Sequence, residues 1–141
     1  MIEMIKKTTL QTELVDIRRH LHRNPEVGME LPATKDFVWQ KLVEYGYEPQ
    51  SCGKMGVTCT IGQGERVFLL RGDMDALPLV EDTDLEFRSE NGAMHACGHD
   101  MHTTMLLGAA KLLKEREKEL PGVVKLLFQP GEEILQGAKD C

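Results

Sequence analysis

Two apolar runs set the fold of this chain. Val67-Phe68-Leu69-Leu70 and Val123-Val124-Lys125-Leu126-Leu127-Phe128 carry their hydrophobic residues on neighbouring positions instead of alternate ones. Strands that read this way are buried on both faces, the pattern of a sheet covered by helices. Between them, Met105, Leu106, Ala109, Ala110, Leu112 and Leu113 mark a long helix from about Met101 to Glu119, with Asp100 at its N-cap. Strand, helix, strand predicts a right-handed crossover in an α/β sheet with the two strands parallel.

The flanking segments fit that class. Leu10, Leu14, Ile17 and Leu21 form one helical stripe that ends before Pro25 and Gly28. Pro32 opens a second amphipathic helix through Phe37, Val38, Leu42 and Val43, which stops at Gly46. Short strands are expected near Tyr47–Cys52, Val57–Ile61 and Arg66–Arg71, with Gly53, Gly56, Gly62 and Gly64 as turns. That glycine-rich stretch lacks the lysine and spacing of a phosphate-binding loop.

Topology then constrains the site. Arg71-Gly72-Asp73-Met74-Asp75 follows the first apolar run directly, and Gln129-Pro130-Gly131-Glu132-Glu133 follows the second. Ligands of open α/β sheets collect beyond the carboxyl ends of the strands. Parallel strands therefore bring both acidic segments to one edge. His95-Ala96-Cys97-Gly98-His99-Asp100-Met101-His102 enters the intervening helix at the same edge.

The residue types there suit a hydrolytic metal site. Cys97 and His99, two positions apart in a glycine-containing turn, supply the thiolate and imidazole that zinc-like ions prefer. If Glu132 and Glu133 begin a helix, their side chains diverge by roughly 100°. One carboxylate then binds the ion while the other takes a proton from activated water. Asp73 and Asp75 alternate, so one of them can face the site and orient a neighbouring group, with a turn or strand-end role an equal alternative. His102 is left open as a ligand, a substrate contact or an orienting partner, and His95 as an orienting partner or merely polar. His20 and His22 lie near the end of the first helix, where a cation complements the helix dipole.

Charge and cysteine usage narrow the partners. The formal charge is −6, and Lys111, Lys114, Arg116 and Lys118 interleave with Glu115, Glu117 and Glu119, so no nucleic-acid patch forms. No apolar run approaches the roughly 18 residues that span a bilayer. Met1 to Leu10 lacks an apolar signal region, which makes a cytoplasmic setting the expectation. Cys52, Cys59, Cys97 and Cys141 show no Cys-x-x-Cys pair, and a disulfide framework is not expected; Cys52 and Cys59 flank a glycine-containing turn and could face each other across a hairpin.

Four segments in this order resemble a known family: Arg18 to Glu26, Arg71 to Pro78, Met94 to His102 and Gln129 to Glu133. The chain is similar to the zinc or manganese amidohydrolases of the aminoacylase and carboxypeptidase superfamily, in the branch of hippurate hydrolases, acetyl-diaminopimelate deacetylases and auxin-conjugate hydrolases. The likeness runs from about residue 9 to the last residue. It implies Cys97, His99 and Glu133 as metal ligands, Glu132 as general base and acid, and Asp75 as support of the metal centre. The implied reaction is hydrolysis of the amide of an N-acyl amino acid or related conjugate by metal-activated water. The implied fold is a zinc-exopeptidase-like three-layer α/β domain with a mainly parallel sheet, of which residues 1–141 are the N-terminal part, cut before the dimerisation domain. Two ions, two further metal-binding histidines and any homodimer or tetramer belong to the full-length form, so this chain alone is expected to show weak or no activity. Two other readings remain: a non-catalytic metal-binding remnant, and a hydrolase using Cys97 as nucleophile with a neighbouring histidine as base.

Overall fold

The computed structural model describes residues 2–141, with side chains from Thr9 onward. In chain order the elements are α1 (Ile2–Arg23), α2 (Pro32–Glu44), β1 (Gln50–Cys52), β2 (Gly56–Ile61), β3 (Val67–Asp73), α3 (His99–Glu115), a 3-10 turn (Glu117–Glu119), β4 (Val123–Gln129) and α4 (Gly137–Asp140). The strands form one sheet in the order β1-β2-β4-β3. β3 and β4 are parallel, as the crossover requires, with Asp73 beside Gln129 at their carboxyl ends. β2 runs antiparallel to both β1 and β4. The described sheet is therefore mixed, where a mainly parallel one is expected. The physical reason is two short glycine-containing turns, one between β1 and β2 and one at Gly62 and Gly64 between β2 and β3, which reverse the chain so that β2 runs against β1 and against the parallel pair β3–β4.

One face of the sheet makes the core. Val57, Cys59 and Ile61 of β2 register with Phe128, Leu126 and Val124 of β4. They pack with Ile17 and Leu21 of α1, Val38 and Leu42 of α2, and Leu106, Leu107 and Ala110 of α3. On the opposite face, Thr60, Lys125, Leu69 and Arg71 are exposed. Among the described residues the architecture is thus two layers, helices on one side of the sheet, where three are expected. The apolar run of β3 shows the same departure: Val67, Phe68 and Leu69 are 60%, 65% and 57% exposed. Burial sets in only at Gly72 and Asp73, where Thr103 of α3 donates its hydroxyl to the Asp73 carbonyl at 2.8 Å.

Local chemistry explains the element ends. α2 starts at Pro32 without a capping side chain of its own. Glu26 serves instead from the preceding loop, accepting from the amides of Ala33 and Thr34 and the Thr34 hydroxyl at 3.1, 2.6 and 2.6 Å. α3 begins at His99, two residues earlier than the sequence predicts, so Asp100 lies inside the first turn and Gly98 takes the N-cap position. The hairpin register pairs Cys52 with Gly56, and Cys59 with Leu126. Cys52 and Cys59 therefore do not face each other. Cys59 is buried, which pushes its thiol up to about 12, while Cys52 lies against Cys141, each thiol 3.4 or 3.2 Å from the other's carbonyl oxygen. No helix among the described residues is long and apolar enough to cross a membrane.

Candidate metal centre

Three segments meet at the carboxyl end of the parallel pair. β3 delivers Asp73 and, just past its end, Asp75; β4 delivers the turn Gln129 to Glu133; and α3 delivers His99, with Cys97 immediately before it. Gly98 adopts φ +84, a left-handed conformation that bends the chain between Cys97 and His99. That bend lets both side chains serve one point. Cys97, His99 and Glu133 each place a ligand atom within 4.8 Å of the others.

Asp75 organises the centre. Its carbonyl oxygen is 2.7 Å from His99 Nδ1. The bond assigns the ring proton to Nδ1 and leaves Nε2 free as a metal donor. The two carboxylate oxygens of Asp75 accept from the backbone amides of Glu132 and Glu133 at 3.0 and 3.1 Å. A buried aspartate thus fixes the acidic turn through its backbone and leaves both glutamate side chains unspent.

Those side chains are unequal. Glu133 is 17% exposed and its Oε1, 3.7 Å from His99 Nε2, is buried without a hydrogen-bond partner. An orphaned buried carboxylate oxygen beside an imidazole and a thiol is the donor arrangement a divalent ion satisfies. Glu132 is 36% exposed, with Oε2 at 3.5 Å from the same nitrogen. It remains open to water. The divergence arises in a turn, not in the first turn of a helix, because α4 begins only at Gly137. Cys97 is exposed, and the neighbouring carboxylates, Glu133 foremost, hold its thiol above its ordinary range.

Asp73 and His102 form a second group beside the first. His102 Nδ1 is 2.7 Å from Asp73 Oδ1, and Arg71 pairs with the other Asp73 oxygen at 3.1 Å. Burial raises the Asp73 carboxyl, but His102, His99 and Arg71 outweigh it and bring it below its usual range. Asp73, His99 and His102 likewise bring their ligand atoms within 4.8 Å of one another. Since His99 offers only Nε2, the two groups compete for it. His95 is 5% exposed with neither ring nitrogen hydrogen-bonded, and burial pushes it down to about 4. It orients nothing through a hydrogen bond.

His22 lies in the last turn of α1, as expected, and its partners there are side chains from distant segments. It is 3% exposed and lies between two carboxylates, Asp100 at 2.7 Å and Glu81 at 2.9 Å. Glu81 was not legible as a site residue, since its partners Ser89 and His22 are 8 and 59 positions away. His20 stacks on Phe37 at the surface.

The chain is similar to several known proteins. The model of peptidase family M20/M25/M40 matches residues 69–141. An IAA-amino acid hydrolase (ILR1-like 5) of Arabidopsis thaliana is 47% identical over 98% of the chain and 32% of its own length. The N-acetyl-L-cysteine deacetylase of Bacillus subtilis is 46% identical over 95% and 33%. A hippurate hydrolase of Campylobacter jejuni is 48% identical over 92% and 34%. Among solved structures, a dinuclear metal-binding peptidase of Bacillus subtilis superposes with a TM-score of 0.88 at 42% identity, covering 94% of this chain and 38% of that one. The chain spans about a third of the length of the curated relatives it matches.

Proposed function

Because the chain belongs to peptidase family M20/M25/M40, we propose that it is the N-terminal part of the catalytic domain of a metal-dependent amidohydrolase acting on N-acyl amino acids or related conjugates. The substrate class follows the named relatives, an N-acetyl-L-cysteine deacetylase and a hippurate hydrolase among them. One observation carries the reading: adjacent carboxylates are split into a buried, unpartnered Glu133 beside Cys97 and His99, and an open Glu132 on the same imidazole.

Cys97, His99 and Glu133 would hold the ion, zinc or manganese by their donor chemistry. When bound, the ion supplies Lewis acidity that makes water a nucleophile near neutral pH and polarises the amide carbonyl. Glu132 then accepts the proton of the attacking water and returns it to the leaving amine. Asp75 keeps Glu132 and Glu133 in register through their amides and sets the His99 tautomer. Cys97 as nucleophile is the poorer reading, since Glu133 raises its thiol where a nucleophilic cysteine needs a lowered one.

Among the described residues there is one such three-ligand set, with its alternative sharing His99. It is therefore expected to bind one zinc or manganese ion weakly and to turn over hippurate or N-acetyl amino acids slowly or not at all. Isothermal titration with Zn²⁺, alongside alkylation of Cys97 with and without the ion, tests this. Protection of Cys97 on loading, lost in Glu133→Ala, is the expected result. Equal zinc uptake by wild type and a Cys97→Ser/Glu133→Ala variant would overturn it.

A further inference from the structure

The N-terminal motif Arg18-Arg19-His20-Leu21-His22 takes no part in the chemistry above, yet one of its members joins the segments that deliver the metal ligands. His22 closes α1 and is buried. Its Nδ1 lies 2.7 Å from Asp100 Oδ2 and its Nε2 2.9 Å from Glu81 Oε1, with both carboxylate side chains 1% exposed or less. Ionised carboxylates only accept hydrogen bonds, so an imidazole N–H is what either of them can take from the ring. Arg18 joins the cluster, its Nε 2.9 Å from the same Asp100 oxygen and its Nη2 3.3 Å from His22 Nδ1. Its guanidinium brings positive charge to two buried carboxylates, which such a cluster requires.

Each carboxylate belongs to a segment carrying a metal ligand. Asp100 follows His99 directly in the first turn of α3 and caps its own turn by accepting from the Met101 amide at 2.9 Å. Glu81 belongs to the irregular stretch between β3 and α3. It accepts from the Ser89 amide at 2.7 Å and the Thr83 hydroxyl at 2.7 Å. Ser89 bonds to Asn91, which reaches the Pro25 carbonyl at 2.9 Å and takes the Ala93 amide at 3.1 Å. The next residue, Met94, pairs with Leu77 backbone to backbone, and Cys97 lies three positions on. His22 therefore ties the Cys97 segment to the His99 turn by side-chain hydrogen bonds on opposite edges of one ring.

We propose that His22 is a positioning residue for the pair Cys97 and His99, holding the start of α3 against the stretch that carries Cys97. The proposal rests on the reading of these residues as metal ligands. An imidazole suits the task because its two ring nitrogens diverge from a rigid plane. A single amide side chain reaches one carboxylate well and leaves the other short of a donor.

The test uses the 141-residue chain with His22→Gln, Glu81→Ala and the near-isosteric Glu81→Gln. Leu42→Ala, a core change in α2 outside this network, gives the baseline for general destabilisation. Two quantities are read: the zinc dissociation constant by calorimetry, and amide hydrogen exchange of residues 97–103. Residues that orient ligands typically change metal affinity 10–100-fold when removed. Expected are at least about 10-fold weaker zinc binding and faster exchange at 97–103 in His22→Gln and Glu81→Ala. Both should exceed the effect of Leu42→Ala, and Glu81→Gln should recover most of the loss. Wild-type affinity and exchange in these variants, or equal losses in Leu42→Ala, would overturn the proposal. If His22→Gln does not fold, the Glu81 pair decides. If wild type takes up no zinc, the metal reading fails by itself, and the exchange comparison still decides whether His22 holds the two segments.

Discussion

Asp75 shows how much one residue can organise when its carboxylate and its backbone carbonyl both accept hydrogen bonds. Its carboxylate takes the amides of Glu132 and Glu133, and its carbonyl takes His99 Nδ1. Asp75→Asn keeps the shape but turns one acceptor oxygen into a donor, which then faces a backbone N–H. The expected outcome is a helical spectrum like wild type with zinc affinity down about 10–100-fold by calorimetry; unchanged affinity would remove Asp75 from the centre. Glu81 makes a second prediction, in pH. Burial opposes its ionised form, yet hydrogen bonds from the Ser89 amide, His22 and Thr83 draw it from 4.5 to about 2. A carboxyl lowered on folding adds stability above its unfolded value, and that contribution fades as pH falls from 4.5 toward about 2. Urea unfolding of the metal-free chain should lose stability across this window, and Glu81→Gln should flatten the slope there. The meeting of Cys97, His99 and Glu133 was legible because chemistry-bearing residues crowd into short motifs, whereas only the family resemblance separated Asp75 from Asp73. The His22 cluster was not, since its contacts span 59 and 78 positions and no local pattern announces them.

At the scale of elements, periodicity located the helices well and their beginnings less well. Asp100 has the side chain of an N-cap, and the apolar stripe of α3 starts after it, so local rules place the boundary there. The backbone instead enters the helix at His99 because Gly98 can adopt φ +84, and Asp100 is drawn inward by His22 and Arg18. The acidic pair shows the same limit. Adjacent glutamates after Pro-Gly read as a helix start, but Asp75 binds their amides and α4 forms only from Gly137. Gly137 is what closes that turn: a Cβ there would lie 1.5 Å from the Pro130 carbonyl oxygen, far inside any real contact. Gly137→Ala must therefore push the turn open and move Glu133. We expect zinc affinity to fall at least about 10-fold, as for other residues that orient ligands. The sheet register, followed by amide exchange in β2 and β4, should persist. Loss of both together would mean the turn and the sheet form a single cooperative unit.

For the whole molecule, the α/β class and the parallel crossover were readable and decided where the site would be, but the exposure of β3 was not. Consecutive apolar residues in β3 and β4 imply helices on both faces. In the structure α1, α2 and α3 share one face, and β3 is a sheet edge that pairs only with β4 among the described residues. A hydrophobicity pattern records what a strand is suited to meet; it does not supply the layer that meets it. The consequence is physical. Val67, Phe68 and Leu69 stand more than half exposed on a strand whose outer N–H and C=O groups have no strand beside them, and such edges template pairing with other chains. The isolated chain should therefore self-associate as its concentration rises, with an apparent mass by sedimentation above the 15.9 kDa monomer. Phe68→Lys places a charge on that edge without touching the metal centre, and should return the chain to monomer with zinc affinity unchanged. Persistence of the larger species in Phe68→Lys would place the contact on another surface and leave the edge of β3 inert.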